Sequence, residues 1–223
     1  MEAWFYLLIC HFCILFFGFA NCRRYYFRSV YTASLDGTII RWNLQNLAED
    51  RKKINLKTAI TSIKIFKDRL ICGGFSSLLI CDLNATLLKT LTITEDGGVT
   101  EISCFHNLEN GEVWAGTRHD GKIHVFDIST GHVKHVISIP NCRGISSINV
   151  FDDKIWAGLK HGEIYIYFVK DYSIWKQLQG HEDAVKVLYN IRESNDVLHS
   201  YMISGAGSKD GRVCIWNANE ETL

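Results

Sequence analysis

The chain has 223 residues, 47% of them hydrophobic, and a formal net charge of zero at neutral pH. This length suits one large all-β domain or two smaller domains, and the apolar content is sufficient for a substantial core. A balanced charge gives no reason to expect nucleic acid or a broadly acidic partner. We therefore expect a globular protein whose function does not depend on bulk charge.

Eight cysteines are present, and they do not show the paired spacing of a zinc site. Cys10 and Cys13 match a C-x-x-C pattern, but they lie within an apolar run and have no second pair. Most of the others fall in or beside strand patterns, where a free thiol behaves as a small hydrophobic residue. We expect no metal, no cofactor and a reducing, cytoplasmic setting.

The N-terminal residues 3–20 form an apolar run in which only His11 is clearly polar. As a helix this run would be about 27 Å long, close to the hydrocarbon thickness of a bilayer. A cluster of arginines follows, and the flanking-charge rule would keep that side cytoplasmic. Three interpretations of residues 1–22 stay open: a membrane anchor, a cleaved signal peptide without a positive n-region, or a damaged or wrongly delimited sequence with no membrane role. The remaining residues, 23–223, are assigned to one repetitive domain.

A strand–turn signal dominates this domain, and its best copy is the segment 207–217. The segment reads as a tight Asp-Gly turn followed by an alternating strand that ends at Trp216. Asp-Gly tolerates the positive φ that a short hairpin turn needs. The alternation predicts that Val213 and Ile215 share one buried face.

The signal recurs five times when the aromatic or equivalent residue at the strand end is placed in register. These end residues are spaced by 39, 45, 41 and 49 residues: Trp42, Cys81, Phe126, Tyr167 and Trp216. Six residues earlier stand the turn residues Asp36, Phe75, Asp120, His161 and Asp210. The next residue is glycine in four copies and serine in one: Gly37, Ser76, Gly121, Gly162 and Gly211. A period of about 40–45 residues indicates a β-propeller blade.

The other strands of each unit keep the same order. Residues 62–73 and 147–158 match position for position, and each reads as a strand, a polar turn and a second strand that stops at glycine. Outer strands follow the repeated residues at 87–93, 133–139 and 174–178. No stretch after residue 22 keeps a period near 3.6, so we expect almost no helix. The predicted fold is all-β, a β-propeller of four-stranded antiparallel blades preceded by the apolar segment.

The last copy resembles the WD-repeat family. Gly180-His181 followed by Trp216-Asn217 is similar to that family's glycine-histidine to tryptophan-aspartate unit, with asparagine in place of aspartate. In that family a histidine, a hydroxyl residue, the turn aspartate and the tryptophan form a buried hydrogen-bond chain, which gives the buried N–H groups partners. The resemblance implies this structural role for His181, Ser204 or Ser208, Asp210 and Trp216.

The other copies are less complete. The first retains Asp36 and Trp42, the third retains Asp120 without the tryptophan, and the second has lost both. Residues 30–217 amount to about 4.5–5 blades, whereas relatives of this family usually close a ring of about seven. We therefore expect a part of a longer protein, but a five-bladed ring completed by residues 25–30 stays open. An open ring would expose strand edges that invite pairing with another chain.

Two glycine-rich turns imitate phosphate-binding loops. Residues 116–122 nearly spell G-x-x-x-x-G-K, but Ile123 stands where a hydroxyl would reach Mg²⁺, and a strand pattern follows instead of a helix. Residues 205–211 fail for the same reason. No nucleophile elbow is present, and only geometry can decide whether a Ser-His-Asp triad forms. We predict no enzymatic activity.

The leading functional hypothesis is a non-catalytic scaffold for protein–protein interaction, because loops on a rigid framework commonly carry function. In the WD-repeat family the residues just before the turn aspartate line the partner-binding face. The matching positions are Leu35, Gly74, His119, Lys160 and Lys209, with Arg118 beside the third. Three consecutive copies thus offer a basic or potentially basic side chain. We expect these positions to favour an acidic or phosphorylated peptide.

Two alternative functions stay open. The repeated sequence Val-Trp-Ala-Gly at 113–116 and Ile-Trp-Ala-Gly at 155–158 resembles divergent propellers appended to guanine-nucleotide exchange factors of the DENN and Rho types, or to inositol phosphatases. That resemblance implies a regulatory portion of a larger signalling or membrane-traffic protein. The other alternative is a membrane-tethered adaptor, which depends entirely on residues 3–20.

Overall fold

The structure is a computed structural model of the chain. It describes residues 9–10, 13–16, 29–43, 52–66, 68–93, 102–108, 110–192 and 200–218. Every regular element within these ranges is a β-strand, which confirms the all-β prediction. The chain divides into two compact units, residues 1–102 and residues 103–223.

The first unit contains two antiparallel sheets in which each strand pairs with its neighbour in sequence. Sheet 1 consists of β1 (Ile9–Cys10), β2 (Cys13–Phe16), β3 (Ser29–Ser34), β4 (Thr38–Asn43) and β5 (Lys52–Asn55). Sheet 2 consists of β6 (Ile60–Phe66), β7 (Arg69–Gly74), β8 (Ser77–Asp82) and β9 (Leu87–Thr92).

The second unit, together with Ile102, contains three more sheets of the same kind. Sheet 3 consists of β10 (Ile102–Asn107), β11 (Glu112–Thr117), β12 (Lys122–Asp127) and β13 (Val133–Ser138). Sheet 4 consists of β14 (Ile145–Phe151), β15 (Lys154–Leu159), β16 (Glu163–Phe168) and β17 (Ile174–Gln179). Sheet 5 consists of β18 (Val185–Arg192), β19 (Ser200–Ala206) and β20 (Val213–Asn217).

The turn before the strand that ends at the repeated residue shares one backbone feature in all five sheets. The residue after the turn aspartate position has a positive φ in every copy: Gly37 at 82°, Ser76 at 50°, Gly121 at 64°, Gly162 at 99° and Gly211 at 65°. Glycine adopts this conformation without steric cost, and serine does not. The repeat register read from the sequence therefore holds even in the second copy, where glycine has been replaced.

The core of the second unit lies between adjacent sheets. Trp114 packs with residues of sheets 3 and 4, and Trp156 packs with residues of sheets 4 and 5. These two tryptophans occupy equivalent positions in β11 and β15, and they are 0% and 1% exposed. Sheet 4 is therefore covered on both faces, because each face contributes to a different apolar cluster. In the first unit a separate cluster joins sheets 1 and 2 around Ile39, Ile63 and Leu70.

The prediction that Val213 and Ile215 are buried was wrong. They are 69% and 68% exposed. Ile164 and Ile166 hold the matching positions in sheet 4 and are 0% exposed, because sheet 5 packs against them. No sheet in the described part of the chain covers the corresponding face of sheet 5, so its apolar side chains face solvent.

The N-terminal apolar run is described only in part. Residues 9–10 and 13–16 lie in strands, whereas the anchor and signal-peptide interpretations assume a helix, and β2 pairs with β3. This pairing supplies a strand before β3, which the sequence pattern did not reveal. The rest of residues 3–20 lies outside the described residues. Among those that are described, no helix is long and apolar enough to cross a membrane.

Four described cysteines are free thiols, as expected for strand cysteines. Cys72, Cys81 and Cys142 are buried, and Cys214 is half-buried. Cys72 and Cys81 lie on adjacent strands, and their hydrogen bond, together with burial, raises the pKa of the Cys72 thiol. Neutral thiols of this kind contribute to packing in the core of the first unit.

Candidate functional site

The predicted partner-binding residues of the second unit lie at one end of its sheets. Antiparallel strands reverse direction at each turn, so alternate turns share an end. We call the end of sheets 3, 4 and 5 that carries residues 118–121, 160–162 and 207–212 the turn end. The connections from one sheet to the next, residues 139–144 and 180–184, also lie there.

Backbone contacts join the neighbouring turns at the turn end. Lys160 N donates a hydrogen bond to Gly144 O at 3.0 Å. A Cβ atom added to Gly144 would come within 1.9 Å of Arg118 O, so only glycine fits between these two turns. A Cβ atom added to Gly162 would come within 2.1 Å of His181 O. The turns of sheets 3, 4 and 5 therefore form a continuous surface.

This surface carries four of the six predicted binding residues. His119 and Lys209 are exposed, and Arg118 and Lys160 are half-buried. The other two lie in the other unit: Leu35, in the matching turn of sheet 1, is 52% exposed, and Gly74, at the end of β7, is buried.

A buried hydrogen-bond chain stabilises the turn end of sheet 5. The indole Nε1 of Trp216 donates to Ser204 Oγ at 2.7 Å. Ser204 Oγ is 2.7 Å from His181 Nε2, and His181 Nδ1 is 2.6 Å from Asp210 Oδ2. The side chains of His181 and Asp210 are fully buried. The hydrogen-bond chain therefore links strands β19 and β20 to the connection that enters sheet 5.

The hydrogen-bond roles in this network follow from its carboxylate and its indole. A carboxylate only accepts, so the Asp210 carboxylate accepts a hydrogen bond from His181 Nδ1–H. An indole N–H only donates, so the Ser204 oxygen accepts from Trp216 Nε1, and in the Nδ1–H tautomer of the His181 ring Nε2 accepts from the Ser204 hydroxyl. The hydroxyl in the chain is Ser204, whereas Ser208 is exposed in the turn. The sequence alone had left these two serines as alternatives.

Arg212 compensates the negative charge of the turn. It donates from Nε to Asp210 Oδ1 and from Nη2 to Glu182 Oε1, the second at 2.6 Å. Burial alone raises the pKa of the Asp210 carboxyl, but hydrogen bonds from Arg212, His181 and the Glu182 amide outweigh it and hold the pKa below its usual range. Asp210 is therefore a paired carboxylate at neutral pH.

Ser204, His181 and Asp210 have the connectivity of a hydrolase triad. A nucleophile must reach its substrate, but Ser204 is 0% exposed. Its oxygen also accepts a hydrogen bond from Trp216 Nε1. A nucleophilic hydroxyl has no need of this additional donor. This arrangement joins strands and offers no open position for a reacting carbonyl.

The less complete copies of the repeat keep parts of the same hydrogen-bond chain. In sheet 1, Trp42 Nε1 donates to Thr32 Oγ1 at 3.0 Å, and Asp36 accepts from the Thr38 amide and hydroxyl within its own turn. In sheet 3, Asp120 accepts from the Thr117 hydroxyl. Thr32 and Thr117 were missed by sequence reasoning. A hydroxyl residue in or at the end of the second strand is the signal that could have found them.

A second polar cluster lies at the opposite end of sheets 3 and 4. The Glu112 side chain is 6% exposed, and its Oε1 accepts from Lys134 Nζ at 2.5 Å and from Tyr172 OH at 3.1 Å. The Tyr172 ring stacks on His135 with 4.5 Å between the ring centroids, and it lies 5.5 Å from Trp114. Tyr172 has a positive φ of 62°. The cluster connects the last turn of sheet 4 to sheet 3.

No protein-family profile matches the chain. It is 22% identical over 195 residues to the mouse (Mus musculus) protein DENN domain-containing protein 3, covering 84% of this chain and 15% of that protein. It is 28% identical over 238 residues to nuclear distribution protein PAC1 of Komagataella phaffii, covering 83% of this chain and 45% of PAC1. The chain thus spans less than half the length of these curated relatives.

Several solved structures superpose on most of this chain. Sqt1 of Saccharomyces cerevisiae superposes with a TM-score of 0.72 at 18% identity, covering 86% of this chain and 55% of Sqt1. The computationally designed Ika8 protein gives 0.64 at 21% identity, covering 87% of this chain and 57% of Ika8. A chain of the mitotic checkpoint complex gives 0.68 at 19% identity, covering 85% and 57%. These likenesses, with the repeated antiparallel sheets, show the fold of a β-propeller.

Proposed function

We propose that this chain is a non-catalytic protein-interaction scaffold that binds protein partners at its turn end. Rigidity supports this role, because buried tryptophans and a complete hydrogen-bond chain hold the turns on packed sheets. One of the structural neighbours is a chain of a multiprotein assembly, the mitotic checkpoint complex. Burial of the Ser204 hydroxyl supports the non-catalytic part of the proposal.

The contiguous basic surface at the turn end is the observation that carries the proposal. Arg118, Lys160 and Lys209 occupy adjacent turns of sheets 3, 4 and 5. Nearby carboxylates have partners of their own. Arg212 pairs with Asp210 and Glu182. Asp183 accepts from the backbone amides of Ala184 at 2.7 Å and Lys209 at 3.2 Å, which hold its pKa below the usual range.

An acidic or phosphorylated peptide is the partner that suits this charge. Lysine and arginine form charge-assisted hydrogen bonds with carboxylates and phosphates, and these are stronger than neutral hydrogen bonds. Positive side chains from three sheets could contact successive residues of one extended peptide. The exposed imidazole of His119 would add a further hydrogen-bond donor.

Charge reversal tests this partner class. The variant Lys160→Glu/Lys209→Glu should reduce binding of phosphoserine-containing acidic peptides at least about tenfold, since two charge-assisted contacts are lost. Fluorescence anisotropy with a degenerate phosphopeptide library and its dephosphorylated form provides the measurement. Equal reduction for both forms indicates a site for carboxylates, and a larger reduction for the phosphorylated form indicates a phosphate site.

A matched control separates this site from general charge. Lys170→Glu/Lys176→Glu makes the same change in net charge, on the last turn and outer strand of sheet 4. It should leave peptide binding unchanged at physiological salt, because exposed charges farther away than about 10 Å are largely screened. If both double variants bind as the wild type does, or lose binding equally, the turn end is not the site.

A second candidate function is a regulatory propeller within a larger signalling or membrane-traffic protein, of the guanine-nucleotide exchange factor or inositol phosphatase type. The similarity to DENN domain-containing protein 3 favours it, because 84% of this chain matches only 15% of that protein. A blot of the endogenous protein is the test. A band far above 25.5 kDa supports this function, and a band at that mass opposes it.

We also propose a cytoplasmic location, and residues 3–20 are the segment through which the chain would contact a membrane. The composition of that run, in which only His11 is clearly polar, supports the contact, whereas the strands at residues 9–10 and 13–16 favour a place in sheet 1. Carbonate extraction of a tagged chain distinguishes the two. Recovery in the soluble fraction excludes a membrane anchor.

A further inference from the structure

The connection between sheets 3 and 4 carries an exposed arginine that sequence reasoning missed. Arg143 lies between the buried residues Cys142 and Gly144. Within the described ranges its guanidinium has no ion pair and no side-chain hydrogen bond. Arg143 is therefore a cation at the turn end whose N–H donors are available to a ligand.

Gly144 brings this arginine next to two of the predicted binding residues. A Cβ atom added to Gly144 would come within 1.9 Å of Arg118 O. The carbonyl oxygen of Gly144 accepts from Lys160 N at 3.0 Å. Arg143 therefore lies between the turns of sheets 3 and 4, and we call Arg118, Arg143 and Lys160 the basic triplet.

The connection that carries Arg143 is also held on its N-terminal side. Ile139 N donates to Gly121 O at 3.0 Å. A Cβ atom added to Gly121 would come within 2.5 Å of Cys142 Cβ, so the connection and the turn of sheet 3 are in close contact. Cys142 Sγ accepts from Gly144 N at 3.3 Å. A connection fixed in this way presents Arg143 with little further loss of backbone entropy on binding.

Two carboxylates lie in or beside the same turns, and both have donors of their own. Asp120 accepts from the Thr117 hydroxyl. Glu163 Oε1 accepts from Gln179 Nε2 at 3.3 Å, and Glu163 Oε2 lies 3.4 Å from His161 Nε2. The basic triplet adds three positive charges to a region with these two negative ones. The region therefore attracts anions.

The matching place between sheets 4 and 5 has the opposite charge. Gly207 N, which follows β19, donates to Ala184 O at 2.9 Å, and this repeats the backbone bond that follows β15. Asp183 therefore holds the position that matches Arg143. Its carboxylate also accepts from Lys209 N at 3.2 Å. A doubly charged anion is thus favoured between sheets 3 and 4 and opposed between sheets 4 and 5.

We propose that the basic triplet is the subsite at which the turn end selects a phosphate group on a partner protein. The inference rests on the proposed function and deepens it, because it distinguishes phosphorylated segments from acidic ones. A phosphate monoester carries a charge of about −1.5 to −2 at neutral pH and offers three acceptor oxygens. The planar fork of an arginine binds two of these oxygens at once, whereas a lysine acts as a point charge. Arg143 therefore sets the preference for phosphate, and Lys209 contacts flanking acidic residues.

Substitution of Arg143 in the full chain tests the proposal. Two peptide libraries are the probes, one with phosphoserine and one with glutamate at the fixed position. Arg143→Gln should weaken binding of the phosphoserine library at least about tenfold, and binding of the glutamate library distinctly less. Arg143→Lys keeps the charge and removes the fork, so it should lose part of the preference for phosphoserine. The control Lys170→Gln removes an exposed cation in the last turn of sheet 4 and should change neither affinity.

The outcomes separate this subsite from the proposed function. If Lys160→Glu/Lys209→Glu weakens binding but Arg143→Gln weakens both libraries equally or not at all, the proposed function stands and the phosphate subsite is wrong. If the wild type binds neither library, the subsite fails together with the proposed function. Binding to vesicles that contain phosphatidylinositol phosphates, without binding to phosphopeptides, would assign the basic triplet to a membrane and overturn the proposal.

Inorganic phosphate locates the subsite without a peptide. In an NMR titration of the full chain, the amide resonances of Gly144 and Lys160 should shift, whereas those of Ala184 and Gly207 should not. The shifts should be smaller in Arg143→Gln, whose melting temperature should match that of the wild type because Arg143 is exposed. Shifts of all four resonances, or of none, would overturn the proposal.

Discussion

The Tyr172 hydroxyl donates a hydrogen bond to the carboxylate of Glu112, which lies 60 residues earlier and on the neighbouring sheet. Tyr172 has a positive φ of 62°, which costs free energy for a residue with a side chain. Stacking on His135 and contact with Trp114 offset that cost. The turn between β16 and β17 thus fixes sheet 4 against sheet 3.

Removal of the Tyr172 hydroxyl should weaken this contact. Tyr172→Phe keeps the ring stacking and removes one hydrogen bond to a buried carboxylate, so the free energy of unfolding should fall by about 1–2 kcal/mol. Urea denaturation followed by tryptophan fluorescence measures the loss. Tyr189→Phe is the control, because Tyr189 is 46% exposed, and it should change stability by less than about 0.5 kcal/mol. Equal effects of the two substitutions would contradict the role of Tyr172.

Acid should weaken the same contact. Burial alone raises the pKa of the Glu112 carboxyl, but hydrogen bonds from groups that include Lys134 and Tyr172 outweigh it and hold the pKa below its ordinary value. A carboxyl with a lower pKa in the folded state binds its proton more readily in the unfolded chain, so protonation favours unfolding. The contribution of Glu112 is therefore complete above about pH 5 and is lost progressively as the pH falls below the unfolded-state pKa of about 4.3.

Thermal unfolding at several pH values measures this linkage. Glu112→Gln keeps the shape of the side chain and removes the titrating group, so its melting temperature should depend less on pH between about pH 5 and pH 3 than that of the wild type. Asp210, whose pKa is also lowered, contributes in the same direction to both proteins. Identical pH dependence in the two proteins would show that Glu112 does not contribute.

The hydrogen-bond chain of sheet 5 should behave as one unit. Ser204→Ala removes the partner of both Trp216 Nε1 and His181 Nε2, and each buried group left without a partner costs about 1–3 kcal/mol. Trp216→Phe removes the indole donor and also apolar volume. The double variant should be less destabilised than the sum of the two single variants, because both disrupt the same chain. Additive losses in urea denaturation would contradict a coupled chain.

The buried serine should also be unreactive. A fluorophosphonate probe, which labels activated serine nucleophiles, should not label the native chain, because Ser204 is 0% exposed. Labelling that disappears in Ser204→Ala would show that the triad-like connectivity of Ser204, His181 and Asp210 supports covalent chemistry. Gel fluorescence of native and heat-denatured samples is sufficient for the measurement.

The repeated turn offers a test of backbone strain. Ser76 has a φ of 50° where the other four copies have glycine, so Ser76→Gly should be neutral or stabilise by up to about 1 kcal/mol. Gly162→Ala should destabilise by about 2–4 kcal/mol, because φ is 99° and the new Cβ would meet His181 O at 2.1 Å. The melting temperature should therefore rise or stay unchanged for Ser76→Gly, and it should fall for Gly162→Ala.

The strands and turns could be predicted from the sequence because they depend on local signals. Alternating apolar residues and an Asp-Gly turn specify a hairpin without reference to the rest of the chain. His181, Asp210 and Trp216 were grouped through a family resemblance, and the structure brings their side chains together with Ser204. The choice between Ser204 and Ser208 needed the structure, because the longer turn hides the register.

Contacts between sheets could not be predicted in the same way. Alternation shows that Val213 and Ile215 share a face, but whether a neighbouring sheet covers that face is a property of the assembled structure. The pairing of Glu112 with Tyr172 likewise joins the start of β11 to the turn between β16 and β17, and these two segments have no common sequence signal. Burial between repeats is therefore the part of the fold that a single repeat does not encode.

Neighbouring sheets cover both faces of sheet 4, but within the described residues they cover only one face of sheet 5. This difference implies a gradient of local stability within the second unit. In repeat proteins each unit gains free energy from each neighbour, so a unit with fewer neighbours opens more readily. Amide protons of β19 should therefore exchange faster than those of β15.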